Sequence, residues 1–270
     1  MQALEKQQAL AALRDKIAGI VDLPPLHASA VQRSIHSSPS LLSLPGGLLH
    51  EIFTDERRNG GAALGFALGS ARDLLTSSRP AVIYLQLARE AQEMGLPYGA
   101  GLAAFGFDPE ALLLIRADTI TELLWAAEEA IACRAVAAVI VDVAGQPKAL
   151  DFTASRRLSL RAAKDGASFF LLRYGTWREA SAAQFRWHLR PVLSAETPFD
   201  ARAPGEPRWL ARLEKGAINT SQHEEWLLGW TDHGFERIGD PDNSANRTAD
   251  RTALPRFVPA GLADGLSKTA

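Results

Sequence analysis

Residues 44–75 read LPGGLLHEIF (44–53), TDERRNGG (54–61) and AALGFALGSARDLL (62–75): a short apolar strand, a polar loop bearing glycine, and an alanine-rich helix. Strand, loop and helix in this order make the frame of a phosphate-binding loop, where backbone N–H groups at a helix start face an anion. A working loop also needs an early Gly for the turn, a Lys on the β- and γ-phosphates, and a Ser or Thr hydroxyl on Mg²⁺. Here Thr54 stands where the first Gly would be, Asp55 follows it, and Gly60-Gly61-Ala62 offers neither Lys nor hydroxyl. The frame predicts an α/β fold. Its residues predict no bound cofactor and no hydrolysis.

Outward from this loop the chain alternates. Strand-like runs at Leu48–Phe53, Ala81–Leu87, Leu112–Ile115, Ala137–Val143 and Ser168–Arg173 are separated by helical patterns at Ala62–Leu75, Gly99–Phe105, Thr119–Cys133 and Ala154–Lys164. Thr119 and Glu122 have capping-box spacing. AVIYLQL and VAAVIVDV are apolar almost throughout, as strands covered on both faces must be. Such alternation predicts a mostly parallel sheet flanked by helices. After Arg173 the runs Ala182–Val192, Glu224–Trp230 and Gly234–Ile238 read as strands added antiparallel at one edge, the last two joined by a hairpin at Thr231-Asp232-His233.

Four segments follow. Residues 1–21 read as an amphipathic helix with Leu10, Leu13, Ile17 and Ile20 on one stripe, either folded back on the core or docking another protein. Residues 22–45 form a Pro- and Ser-rich linker that cannot continue a helix. Residues 46–238 are the core, and the polar stretch 239–270 is expected to be disordered.

The net charge of −2 hides an asymmetry: residues 86–151 carry ten acidic and four basic side chains, residues 155–190 two and eight. One electropositive region on a near-neutral protein is compatible with polyanion contact. The single cysteine, Cys133, rules out an intramolecular disulfide and reads as a small buried hydrophobe. Six scattered histidines show no metal-binding spacing, so no metal is expected. Neither a secretory leader nor an 18-residue apolar run is present, which predicts a soluble, cytoplasmic protein.

Few residues suit chemistry. Asp142 ends an apolar strand, where a magnesium-organising acid sits in nucleotide-hydrolysing α/β proteins; here it reads as vestigial. Glu90 follows another strand and reads as a solvated loop carboxylate more readily than a water-activating one. The basic region is richer. Lys148, Arg156, Arg157, Arg161, Arg173, Trp177 and Arg178 combine cations with aromatics, a pairing that suits single-stranded nucleic acid; the plainer reading is a solvated helix face with a loop Trp over the core.

The order of these runs resembles the RecA-like core. More narrowly, GLLHEIF, AALGFAL, LPYGAGLAAFGFDPEALLLIRA, LLWAAEEAIACRAVAAVIVDV, LDFTASRRLSLRA and SAAQFRW resemble the ImuA family over residues 41–192, and more weakly over 208–238. That resemblance implies a RecA-like accessory protein of SOS-induced, error-prone translesion DNA synthesis without recombinase activity of its own. It implies partners: the inactive Y-family polymerase-like protein ImuB, an error-prone replicative-type polymerase, and RecA. It also places DNA-contact loops at Gln146–Leu150 and Tyr174–Ser181, and gives residues 2–21 a place suited to self-association. Two alternatives stay open: a DNA-dependent ATPase using Arg57 or Arg58 in place of the Lys, although a planar guanidinium replaces an ammonium poorly in a tight loop, and a single-strand DNA-binding module.

Overall fold

The computed structural model describes residues 42, 44–197, 200–218 and 225–239. The N-terminal helix, most of the linker and the polar C-terminal stretch lie outside the described residues. β1 (Leu49–Thr54) runs into a 3₁₀ turn, Arg57–Asn59, and then α1 (Gly60–Arg72). β2 (Ala81–Leu87), α2 (Ala88–Met94), α3 (Gly99–Ala104), β3 (Leu112–Ala117), α4 (Ile120–Ile131), β4 (Val136–Asp142), α5 (Phe152–Asp165) and β5 (Ser168–Tyr174) complete the alternating part. β6 (Phe185–Val192), the short hairpin β7 (Glu196–Thr197) and β8 (Asp200–Pro204), β9 (Arg208–Lys215), β10 (Glu225–Thr231) and β11 (Gly234–Gly239) follow.

The main sheet has nine strands in the order β11-β10-β9-β6-β1-β5-β4-β2-β3. From β3 to β6 every pairing is parallel; β9, β10 and β11 then add antiparallel strands at the β6 edge. This is the α/β architecture expected from the alternation, consistent with a RecA-like fold. β1 lies inside the sheet and all six of its residues are buried, polar His50, Glu51 and Thr54 included.

Two cores flank the sheet. On one face α1 presents Ala63, Phe66, Ala67 and Ala71 to Ile52, Tyr84, Ile140 and the aromatics of the antiparallel extension. On the other, Leu123, Ala127 and Ile131 of α4 and Leu158 and Ala162 of α5 cover Ile83, Val139, Phe169 and Leu171. Cys133 packs half-buried at the edge of this second core. The expected cap is present at α4, where Thr119 Oγ1 accepts from Glu122 N (3.2 Å), and α5 is capped in the same way by Asp151, whose Oδ1 accepts from Ala154 N (2.7 Å).

Three elements had no counterpart among the sequence runs. α2 is a seven-residue helix too short and polar to show a period. The β7–β8 hairpin carries no apolar alternation. β9 does alternate, burying Trp209, Ala211 and Leu213, but apolar Leu210 on the other face and the small Ala211 dilute the pattern.

Candidate functional site

The C-terminal ends of β1, β2, β4 and β5 meet at the start of α1, outside the carboxyl edge where open α/β sheets bind ligands. The side chains from Thr54 to Arg58 turn to their own neighbourhood. Thr54 is buried, and its hydroxyl donates to Glu56 O (3.1 Å). Asp55 meets His188 Nε2 at 2.8 Å, from β6. Arg57 Nη1 donates to Glu93 Oε2 (2.8 Å) in α2, and Arg58 Nη2 to Glu56 Oε1 (2.8 Å). The two arginines weighed as substitutes for a phosphate-binding Lys are therefore both ion-paired to local carboxylates.

Asp142 stands at the end of β4. Its Oδ2 accepts from the Tyr84 hydroxyl and its Oδ1 from the Tyr174 hydroxyl, both at 2.9 Å. Burial raises the carboxyl above its ordinary value, while the two phenols and nearby Arg57 pull it back. Both tyrosines are in turn raised by burial and by the Asp142 charge. The Tyr174 phenol also lies against the first turn of α1: a Cβ on Gly60 would sit 3.0 Å from its oxygen. Gly60 thus serves ring packing, whereas Gly61 and Ala62 carry no polar side chain toward the site. Glu90, read as a solvated loop residue, is buried in the first turn of α2 with Oε2 3.5 Å from Ala144 N. Burial raises its pKa, opposed by that N–H and by Arg57.

A cavity of about 310 Å³ opens beside Asp142. Leu64, Leu68, Leu102 and Phe105 line it together with the rings of Tyr84, Tyr98 and Tyr174. Tyr84 was not singled out from the sequence, and Tyr174 figured there only at the start of a DNA-contact loop, not as a partner of Asp142. The only available signal was position, since one lies in β2 and the other ends the strand paired with β1.

The basic candidates divide. Arg157 Nε pairs with Glu128 Oε1, and Arg161 Nη2 lies 3.5 Å from Glu128 Oε2, so both tie α5 to α4. Arg173 is only 4 % exposed; its Nη2 reaches Gly145 O and Glu179 Oε2, each at 3.4 Å. Arg178 stacks 3.9 Å over the Phe53 ring and pairs with Glu214 at 2.8 Å. Lys148 and Arg156 are exposed, and Trp177 is 68 % exposed in the loop after β5. The structure therefore brings Arg173 and Arg178 together around Phe53, inside the protein, and leaves Lys148, Arg156 and Trp177 on the surface. Leu10, Leu13, Ile17 and Ile20 lie outside the described residues. Among the described residues no group of three or more His, Cys, Asp or Glu is placed to hold a metal ion, and no helix is long and apolar enough to cross a membrane.

No protein-family model matches the chain. Two curated relatives do, both named Protein ImuA, from the NA1000 / CB15N and the ATCC 19089 / CIP 103742 / CB 15 strains of Caulobacter vibrioides. Each is 31 % identical over 184 residues, covering 64 % of this chain and 71 % of the relative. With that much of both chains aligned on one sequence pattern, the protein belongs to the ImuA family.

Proposed function

We propose that this protein is a non-catalytic, RecA-like accessory protein of error-prone translesion DNA synthesis. Its role is to assemble the polymerase-like partner ImuB, an error-prone replicative-type polymerase and RecA at damaged DNA. One observation carries the non-catalytic part: the acid at the end of β4, which would organise Mg²⁺ in a working nucleotide site, instead holds two tyrosine hydroxyls at 2.9 Å. A magnesium ion there would have to share a largely desolvated carboxylate with two phenol hydrogen bonds, without the loop Lys and hydroxyl that normally help hold the nucleotide and its ion. The ion pairs of Arg57 with Glu93 and of Arg58 with Glu56 weigh against the alternative ATPase.

The assembly part rests on family membership together with the spending of surface charge. Four of the candidate DNA-contact cations are ion-paired within the chain, Arg173 and Arg178 largely buried and Arg157 and Arg161 still about half exposed, which favours protein surfaces over a dedicated DNA groove. Calorimetric titration with Mg²⁺-ATP, with and without single-stranded DNA, tests the first part, and the expected result is no saturable heat. Affinity capture from DNA-damaged cells tests the second. Recovery of neither the polymerase-like partner nor RecA overturns it.

A further inference from the structure

The chain has three tyrosines in 270 residues, and all three, Tyr84, Tyr98 and Tyr174, line the one cavity beside Asp142. Among the described residues no Lys or Arg lines it; the rest of its wall is Met94, Pro97, leucines, glycine backbone and the Phe105 ring, and Asp142 is the sole carboxylate among them. Aromatic faces around a carboxylate attract organic cations, because the ring quadrupole and the anion act in the same direction and the apolar wall strips water from both. Two phenols occupy one lone-pair direction on each Asp142 oxygen, and a carboxylate accepts about four hydrogen bonds. Acceptor capacity facing the cavity therefore remains.

The same features work against an anion. Asp142 sits on the wall with Glu90 near enough to act on it, the cation acting on Asp142, Arg57, is paired with Glu93, and the Tyr174 phenol covers Gly60 at the start of α1. Size narrows the ligand as well: about 310 Å³ lies at the low end of the roughly 300–1,000 Å³ of small-molecule pockets. That suits a single side chain. At the mouth Met94 and Leu96 are exposed and Tyr98 is 77 % exposed, an apolar rim suited to the residues that flank an inserted side chain.

We propose that this cavity is a receptor for a basic side chain, arginine or lysine, presented by an extended segment of a partner protein, with its charge on Asp142 and its stem against the three tyrosine rings. The identity of the partner rests on the assembly reading above; the cation preference does not. In sign, the pocket would be the reverse of the nucleotide site whose place it takes in the fold.

Because only three tyrosines exist, protein labelled with ¹³C in the tyrosine rings gives NMR signals that all report on this cavity. The probes are the blocked pentapeptide acetyl-Gly-Ala-Arg-Ala-Gly-amide, its lysine and neutral citrulline counterparts, N-acetyl-arginine methylamide and Mg²⁺-ATP. The expected result is saturable shifts with the arginine or lysine peptide and about tenfold weaker binding of the citrulline peptide, in line with the loss of a cation–π and charge contact. Asp142→Asn should weaken the cationic peptide by a similar factor. Tyr98→Ala, at an exposed position where folding is not at stake, should weaken it several-fold. Equal binding of citrulline and arginine peptides overturns the proposal, as does Tyr98→Ala binding unchanged or shifts only with Mg²⁺-ATP. N-acetyl-arginine methylamide binding as tightly as the pentapeptide overturns the partner-segment source. No shift with any probe sinks this inference and leaves the non-catalytic reading standing, since that reading fails only if nucleotide binds.

Discussion

His50 lies in β1 with its ring stacked between Phe170 (centroids 4.7 Å apart) and Phe185 (5.1 Å). Full burial there lowers its pKa from 6.5 to about 3. The unfolded chain, where His50 titrates normally, therefore binds more protons than the folded one between those values. The sign follows: the contribution to stability is fully present above pH 6.5 and is lost as pH falls toward 3, at about 1.4 kcal/mol per pH unit. Asp142 and Glu90, whose folded values are raised, act in the opposite sense over part of the acid range, so the slope of the unaltered chain alone is ambiguous. The difference between the chain and His50→Phe isolates the histidine. Urea midpoints at pH 7 and pH 5 should converge in the variant relative to the parent; parallel slopes would refute the assignment.

α1 carries glycines with opposite roles. An added Cβ at Gly69 would sit 2.6 Å from the Trp230 ring and 2.7 Å from Phe235, whereas at Gly61 nothing lies within 4 Å. Gly69 thus lets the antiparallel extension pack against the helix, and Gly61 only lowers helix propensity. Gly69→Ala gains helix propensity of up to about 1 kcal/mol, but forces two packed rings to move, at about 1–3 kcal/mol. The expected net is destabilisation of about 1–2 kcal/mol. Gly61→Ala is expected to stabilise by up to about 1 kcal/mol. Thermal melts of both variants check the pair, and opposite signs are the decisive outcome. Between α4 and α5, Arg157 and Arg161 share Glu128 while remaining roughly half exposed, so screening keeps each pair near the small end of the salt-bridge range.

Four of the six tryptophans, Trp187, Trp209, Trp226 and Trp230, form one aromatic mass with Phe66, Phe105 and Phe235. It joins the antiparallel extension to α1 and hence to the parallel sheet. Trp209 is the hinge pin: its ring touches Phe66, Phe105 and Phe235, and its indole N–H donates to Ala62 O at 2.9 Å. Trp209→Ala is expected to cost about 3–5 kcal/mol, a large part of the roughly 5–15 kcal/mol that holds a domain folded. Because this core is shared, helix content and near-ultraviolet tryptophan signal should be lost in one transition on urea titration. Separate transitions would mean that the extension folds on its own. The same continuity places the candidate site on a rigid floor, since Tyr84 and Phe105 belong to this core as well as to the cavity wall.

Local chemistry was enough to read the parallel part of the sheet, because strands covered on both faces, such as Ala81–Leu87 and Val136–Asp142, are largely apolar and helices such as α4 show a 3.6-residue stripe. The absence of Lys and hydroxyl from Gly60-Gly61-Ala62 was legible for the same kind of reason, since residue identities need no fold to be read. β9 escaped because its alternation of Trp209, Ala211 and Leu213 is short and weakened by Leu210 on the other face, and the partners that bury it are distant in the chain. The fate of the charges was likewise decided by tertiary structure. Arg173 and Arg178 look like Lys148 and Arg156 in sequence, yet Phe53, Glu179 and Glu214 draw the first pair inward. Tyr84 and Tyr174 lie ninety residues apart, and only the pairing of β2 with β4 and of β4 with β5 sets both hydroxyls on Asp142. A hydrogen bond needs a separation of about 3 Å, and it is the folded sheet that fixes such distances between remote residues.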